Sequence, residues 1–343
     1  MANVTQGYNE ESDDYDISVD YDYNPGVHSH LSTLRITTIT AYSLVFLVGI
    51  LGNTLVIWIT GFELKKTVNI IWFLNLSVAD FLCCMSLPFL ITQFALDYRW
   101  PFGSFLCKII PATKILNMFA SVFLLMVVSI DRCVLVLRPV WCQNTRTTSM
   151  AAIVCFAVWL LALILAVPFA VFQNASTDTL SEKTTCGIKN QSAILGLRIS
   201  WFVFGFVLPF FIITASYSLL MLKVKNIQYS GCNKTYKMLC AVIISFFICW
   251  SPYHVIGLLG ATNGNMHSSP IFIVLSNLTQ SLAYVNSCVN PIIYVIVGQN
   301  FKTKLRKSVR TALKNVFTDE MTQSSVYTRS KSKSLTEERM QTV

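Results

Sequence analysis

The stretch "FLCKIIPATKILNMFASVFLLMVVSIDRC", Phe105–Cys133, decides the fold. Almost every residue as far as Ile130 is apolar. Then an acid, Asp131, stands directly beside a base, Arg132. A helix needs about 20 mostly apolar residues to cross the ~30 Å hydrocarbon core of a bilayer. This run exceeds that length, so it reads as a membrane span that finishes on a paired charge at one face.

Six further runs of the same kind flank it. With it they cover 36–60, 68–94, 104–136, 149–172, 196–224, 236–261 and 271–296, joined by short connections. Composition agrees. Hydrophobic residues make up 54% of the 343 and charged residues 13%, against about 25% charge in a soluble domain. The mean hydropathy is +0.56. The expected architecture is an all-α membrane protein: a seven-transmembrane helix bundle over 36–298, behind an acidic tail over 1–35. A short amphipathic helix is expected over 299–314, where Phe301, Leu305 and Val309 recur at helical spacing among bases. A Ser/Thr-rich tail over 315–343 should be disordered.

Charge gives the orientation. The tail as far as Leu34 has no Lys or Arg and seven acids, so all 26 bases lie from Arg35 onward. They gather in alternate loops: Lys65 and Lys66; Arg138 and Arg146; Lys223, Lys225, Lys234 and Lys237; then Lys302, Lys304, Arg306, Lys307, Arg310 and Lys314. The other loops hold fewer: Arg99 and Lys108, then Lys183 and Lys189, then none. Bases concentrate on the cytoplasmic side, so the C-terminus reads as cytoplasmic and the acidic N-terminus as extracellular. These bases beside spans account for the net charge of +9 without nucleic acid. The first stretch lacks the apolar core of a cleavable signal peptide, so the first span is expected to serve as export signal.

Most of the eleven cysteines lie within apolar runs, where a thiol behaves as a small hydrophobe. Cys107 and Cys186 lie in short polar stretches on the expected outer side, where one disulfide can form and persist. Asn3, Asn174 and Asn190 open glycosylation triplets on that side. Asn233 opens another on the inner side, where it should be silent.

Polar groups inside spans are costly and usually functional. Span 2 carries Asp80, span 3 Asn117 and Ser121, span 7 Asn286, Ser287 and Asn290. One carboxylate with amides and hydroxyls suits a small hard cation such as sodium. The other reading is that Asp80 only hydrogen-bonds neighbouring helices. No other cofactor is expected. Prolines at 88, 168, 209, 252 and 291 should kink their helices. Pro252, two residues from bulky Trp250, and Pro291, beside Asn290, are the candidate activation hinges.

Five motifs in order, "GILGN", "NLSVAD", "DRC", "CWSPY" and "NPIIY", resemble the rhodopsin-like (class A) G-protein-coupled receptors over residues 36–310. The resemblance implies that Asp131 neutralises Arg132 at rest, and that Arg132 is released toward a G protein with support from Tyr217 and Tyr294. Cys133 stands where that family usually has Tyr, a change common among chemoattractant receptors. "CCMSLPF", "WPFGSFLCKIIP", "LNMFASVFLL", "RPVWCQN" and "WSPYHVIG" narrow the resemblance to the complement anaphylatoxin receptors. The component 3a receptor looks closest across spans 2–3, with component 5a, formyl-peptide and chemerin chemoattractant receptors near. This implies an extracellular peptide or protein chemoattractant as ligand, a heterotrimeric G protein of the inhibitory class, arrestin with receptor kinases, and membrane lipid as surroundings.

Three positions depart from the pattern. Such receptors usually place Arg, Arg and Asp where this chain has Gln173, Trp201 and Ser276, to grip a ligand's C-terminal Arg. Arg198, one turn before Trp201, is a substitute. Lys114, one turn above Asn117, either holds a ligand carboxylate or snorkels to the outer surface. With Tyr253 and His254 these residues make the candidate ligand pocket. Tyr15, Tyr21 and Tyr23 lie among acids and are candidate sulfotyrosines in a tail that attracts a basic ligand. Ser324, Ser325, Thr328, Ser330, Ser332, Ser334 and Thr336 are candidate phosphorylation sites for arrestin.

Two other classes compete. A non-signalling scavenger on the same fold often lacks the Arg of the "DR" pair, and Arg132 is present. A transporter should show repeated halves, and an enzyme a nucleophile beside a base. No repeat is visible, and the one histidine inside a span, His254, has no obvious catalytic partner.

Overall fold

The computed structural model describes residues 25–179, 182–188, 190–224, 233–263 and 269–297. The amphipathic helix expected at 299–314, the tail tyrosines, Asn3 and the phosphorylation sites lie outside the described residues. Ten helices and one hairpin follow in order: α1 (Pro25–Trp58), α2 (Val68–Met85), α3 (Leu87–Ala95), α4 (Gly103–Leu137), α5 (Pro139–Thr145), α6 (Thr148–Phe172), β1 (Asn174–Thr177), β2 (Thr184–Gly187), α7 (Gln191–Phe202), α8 (Leu208–Val224), α9 (Asn233–Thr262) and α10 (Pro270–Val297). Helices α2 and α3 together form span 2, and α7 and α8 form span 5. Helix α4 is central, packing on α2, α6 and α8, while α10 closes the bundle against α1, α2 and α9.

The bundle buries a set of polar side chains within an otherwise apolar core and is apolar on its outer surface as well. Asp80, Asn53 and Ser287 are wholly buried, whereas Phe62, Phe156 and Ile248 are widely exposed. Exposed apolar side chains suit lipid, and helices satisfy their own backbone there. Among the described residues, six helical stretches combine the length and apolarity to cross a membrane. The seventh, α10, has 28 residues, about 42 Å at 1.5 Å per residue, so length is not its limit. Its inward face carries Thr279, Asn286, Ser287 and Asn290 while Ile271 and Ile296 point outward. Those polar residues lower its average hydrophobicity without exposing polar atoms to lipid.

Local chemistry sets the breaks. Span 2 is interrupted at Ser86, two residues before Pro88, and the Ser86 hydroxyl donates to the Cys83 carbonyl at 2.6 Å. Span 5 widens into a π-helical turn at Val203–Val207. Pro209 follows two residues later; its ring would clash with the carbonyl four residues back, and a wider turn relieves that. A sixth proline within a span escaped the sequence reading: Pro111, inside α4. Thr67, Thr147 and Asn190 cap α2, α6 and α7, each side chain accepting from a backbone N–H three residues on. Span boundaries fall close to those expected, except that α1 begins at Pro25 rather than near 36. Proline is favoured in the first helical turn, and the polar residues that follow it do not stop a helix.

The "GILGN" segment joins the first and last spans. Asn53 donates to the carbonyls of Gly49 and Ser287, both at 2.9 Å. A Cβ on Gly52 would lie 2.9 Å from the Pro291 Cβ. Gly52→Val therefore forces α1 off α10, at about 1–3 kcal/mol. Gly61 has open space around it. A lowered midpoint of thermal unfolding for Gly52→Val, with little change for Gly61→Ala, is the expected result in detergent-solubilised protein.

Candidate functional site

At one end of the bundle the hairpin forms a roof. Cys186 on β2 is bonded to Cys107 near the start of α4, with Cα atoms 5.7 Å apart. The pairing of Ala175 with Cys186 fixes the hairpin register, and Trp100 N–H donates to the Thr184 carbonyl at 2.8 Å. Gln173 is buried against this roof, its amide nitrogen 3.3 Å from Cys186 Sγ. Asn174 and Asn190 are exposed at the same end.

Beneath the roof a polar chain crosses the bundle. The Gln280 amide nitrogen donates to Tyr42 Oη at 3.1 Å. Lys114 Nζ donates to Gln280 Oε1 at 3.3 Å. Lys114 Nζ also lies 4.5 Å from the centroid of the Tyr253 ring, and Arg198 Cζ lies 5.1 Å from that same centroid. Thus Lys114 turns inward and does not snorkel; it is 7% exposed. Arg198 also lies 5.2 Å from the Trp201 ring, while Trp201 itself is buried edge-on against Phe169 at 5.0 Å. His254 is buried among Phe202, Phe206, Trp250 and Tyr253. Ser276 is half-buried, and its carbonyl accepts from the Thr279 hydroxyl at 3.1 Å. The structure thus gathers Lys114, Arg198, Trp201, Tyr253 and His254, and sets Gln173 against the disulfide. Tyr42 and Gln280 were missed in the sequence, although a glutamine inside a span is itself a signal.

In mid-bundle Asp80 is fully buried. Its carboxylate accepts from Asn117 at 3.1 Å and from Asn290 at 2.7 Å. Asn117 also donates to Ser121 Oγ at 3.4 Å. The Oδ1 atoms of Asn117, Asn286 and Asn290 are buried without a hydrogen-bond partner. Trp250 is wholly buried one layer nearer the roof, packed edge-on against Tyr253 at 5.6 Å, and Pro252 lies within α9 just beyond it.

At the opposite end stands the charge pair that closes α4. Arg132 Nη2 lies 3.0 Å from Asp131 Oδ2. The pair is not alone. Arg146 donates twice to the same carboxylate, Nε to Oδ1 at 2.7 Å and Nη2 to Oδ2 at 3.0 Å. Asn69, in the first turn of α2, accepts from both arginines. Tyr294 is buried against Phe73, ring centroids 5.0 Å apart. Tyr217 is carried by α8, which packs on α4. The sequence reading treated Arg146 only as a loop base; its doubled contact depends on how α5 folds back, which no local pattern reveals.

Comparison with known proteins follows the same lines. The sequence profile of the family described as "7 transmembrane receptor (rhodopsin family)" matches residues 52–294. The human C5a anaphylatoxin chemotactic receptor 1 is 41% identical over 330 residues, covering 92% of this chain and 93% of its own. The C3a anaphylatoxin chemotactic receptor of Danio rerio is 39% identical over 330 residues, covering 96% and 91%. The rat C5a anaphylatoxin chemotactic receptor 1 is 38% identical over 327 residues, covering 93% and 91%.

Proposed function

The chain belongs to the rhodopsin family of seven-transmembrane receptors, and on that premise we propose that it is a plasma-membrane receptor for a complement anaphylatoxin. Family members are multi-pass receptors that signal through G proteins; they are not enzymes. The observation that carries the narrower reading is the near-equal identity to C5a and C3a receptors over nine-tenths of the chain. Nothing in that likeness separates the two ligands, because the positions usual for gripping a terminal Arg carry Gln173, Trp201 and Ser276.

In this reading the acidic N-terminus and the disulfide-bonded roof face the outside. A basic protein ligand docks first on the acidic tail, then sends its terminal segment into the pocket around Tyr253. Binding there shifts the packing around Trp250 and Pro252. At the cytoplasmic end Arg132 leaves Asp131 to engage an inhibitory-class G protein. Receptor kinases and arrestin act on the Ser/Thr-rich tail. A sodium ion is the one small ligand proposed for the resting bundle. Asp80, Ser121 and the unpartnered amide oxygens of Asn117, Asn286 and Asn290 form an oxygen-only set around one negative charge, which fits a hard cation.

The test is nucleotide exchange on inhibitory G protein in membranes carrying the chain, driven by purified C5a, C3a and chemerin. Exchange driven by C5a or C3a supports the reading. Binding without exchange would assign the chain to the scavenger class despite its Arg132. Silence and no binding to both anaphylatoxins would overturn the ligand assignment.

A further inference from the structure

Two ion pairs at the outer end of the bundle converge on one carboxylate. Asp97 lies in the turn between α3 and α4. Its Oδ1 is 3.3 Å from Arg35 Nη1 on α1, and its Oδ2 is 3.6 Å from Lys183 Nζ in the loop of the hairpin. The next residue reaches a third element, for the Asn277 amide nitrogen on α10 lies 3.5 Å from Tyr98 Oη. One two-residue turn thus meets the first span, the last span and the roof. Its backbone is unusual. Asp97 and Tyr98 have φ of 55° and 62°, successive residues in the left-handed region. Aspartate tolerates that region, whereas a bulky tyrosine rarely enters it.

Such a conformation persists only where its surroundings fix it. Here they do. Tyr98 N–H donates to the Gln93 carbonyl at 2.8 Å, and Arg99 N–H to that of Leu96 at 3.2 Å. The Tyr98 ring packs edge-on against Phe94 at 5.1 Å, and Trp100, just beyond the turn, is tied to Thr184. The turn is therefore a fixed post that carries Asp97. The hairpin is held at its two ends in different ways. Near Cys186 it is bonded covalently to α4. At the other end, where Asp178 N–H donates to the Lys183 carbonyl at 3.1 Å, Lys183 reaches Asp97. That second hold is exposed: the Asp97 side chain is 69% accessible, and those of Arg35 and Lys183 are each 35% accessible. Exposed pairs of this kind are individually weak and screened by salt, so they open and close readily. One end of the roof is fixed and the other is releasable.

Resting on the reading of the chain as a receptor whose protein ligand sends a terminal segment beneath the roof, we propose that Asp97 is a latch. It holds the end of the hairpin away from the disulfide to span 1, and so sets the rates at which ligand enters and leaves the pocket. Asp97 is a positioning residue and touches none of the side chains gathered around Tyr253. Opening the latch frees the hairpin to swing about its Cys107–Cys186 bond and leaves those side chains in place. Entry and exit then cross the same lowered barrier, so both rates rise and affinity changes less than either.

The experiment uses the full-length receptor in lipid nanodiscs and first reads amide hydrogen exchange across the hairpin, without ligand. Asp97→Asn removes the charge but keeps a residue that accepts left-handed φ, so the turn survives. Hairpin exchange should become roughly threefold to tenfold faster. Arg35→Ala and Lys183→Ala should each give part of that rise, and neither should add to it in the Asp97→Asn background. Salt provides an arm that needs no variant. Raising choline chloride from about 0.01 M to about 1 M shortens the screening length from about 30 Å to about 3 Å. That should speed hairpin exchange in the unaltered chain and change it little in Asp97→Asn; choline leaves the proposed sodium site out of the comparison. Association and dissociation of labelled C5a and C3a are then timed on the same preparations. Both rates should be roughly threefold to tenfold faster in Asp97→Asn, with affinity within about twofold. Hairpin exchange indifferent to substitution and salt, or cation substitutions that add fully to Asp97→Asn, would overturn the latch. A faster hairpin with unchanged ligand rates would overturn its role in entry. If neither C5a nor C3a binds the unaltered chain, the anaphylatoxin reading falls, while hydrogen exchange still decides the latch.

Discussion

Asp131→Asn should raise ligand-independent nucleotide exchange roughly tenfold to hundredfold, and Arg146→Ala should lower it. The sign of each follows from the cluster at the end of α4. Asp131 is shared: Arg146 takes both of its oxygens, and Arg132 takes one of them. Asn69 accepts from both arginines and holds them side by side. Without the carboxylate, two guanidinium groups face each other with only a neutral amide between them. Arg132 then loses a charge-assisted bond of about 1.5–3 kcal/mol and gains a repulsive neighbour. At 1.4 kcal/mol per tenfold, that shifts the resting population by the range stated, provided the active state lacks the bond. Removing Arg146 does the opposite, since Asp131 can then turn both oxygens to Arg132. Basal and ligand-driven exchange in membranes at matched receptor density is the measurement. A rise in both variants would mean that Arg146 acts only as a strut for Asp131.

The seven spans were legible because a bilayer imposes one crude rule: about 20 apolar residues per crossing, whatever their neighbours. The mid-bundle site was legible for the complementary reason. Asp80, Asn117 and Asn290 are conspicuous where polar groups are rare, and the structure brings all three into hydrogen-bonding contact. The pocket was only half legible. Lys114 could be placed near the outer face, but one side chain can snorkel outward or turn inward, and the choice was made by Gln280 and Tyr253 on two other helices. Arg146 failed for a different reason. In the sequence it is one more loop base, and nothing local says that α5 returns it to Asp131. The hairpin at Asn174–Gly187 was also invisible. Its strands are four residues each, too short for a periodic signal, and their register depends on a disulfide partner 79 residues away.

Asp80→Asn should abolish any difference between sodium and choline in the receptor's behaviour. In the unaltered chain, exchanging choline for sodium at constant ionic strength should raise the midpoint of thermal unfolding and weaken agonist binding. A ligand at 100 times its Kd stabilises the state it binds by about 2.7 kcal/mol. The coupling is reciprocal, so an agonist that favours the other arrangement must lose affinity as sodium binds. Constant ionic strength matters because surface charges are screened alike by either salt; only a site that accepts the smaller, harder ion can tell them apart. The substitution also separates the two roles open to Asp80. Asparagine keeps one acceptor where the carboxylate had two, so Asn117 or Asn290 loses its partner. That costs about 1–3 kcal/mol whether or not an ion ever binds. A stability loss alone therefore says nothing about sodium. The deciding quantity is the sodium–choline difference in the unaltered chain. If it is zero, Asp80 serves only to join α2, α4 and α10, and its unpartnered amide neighbours hold no cation.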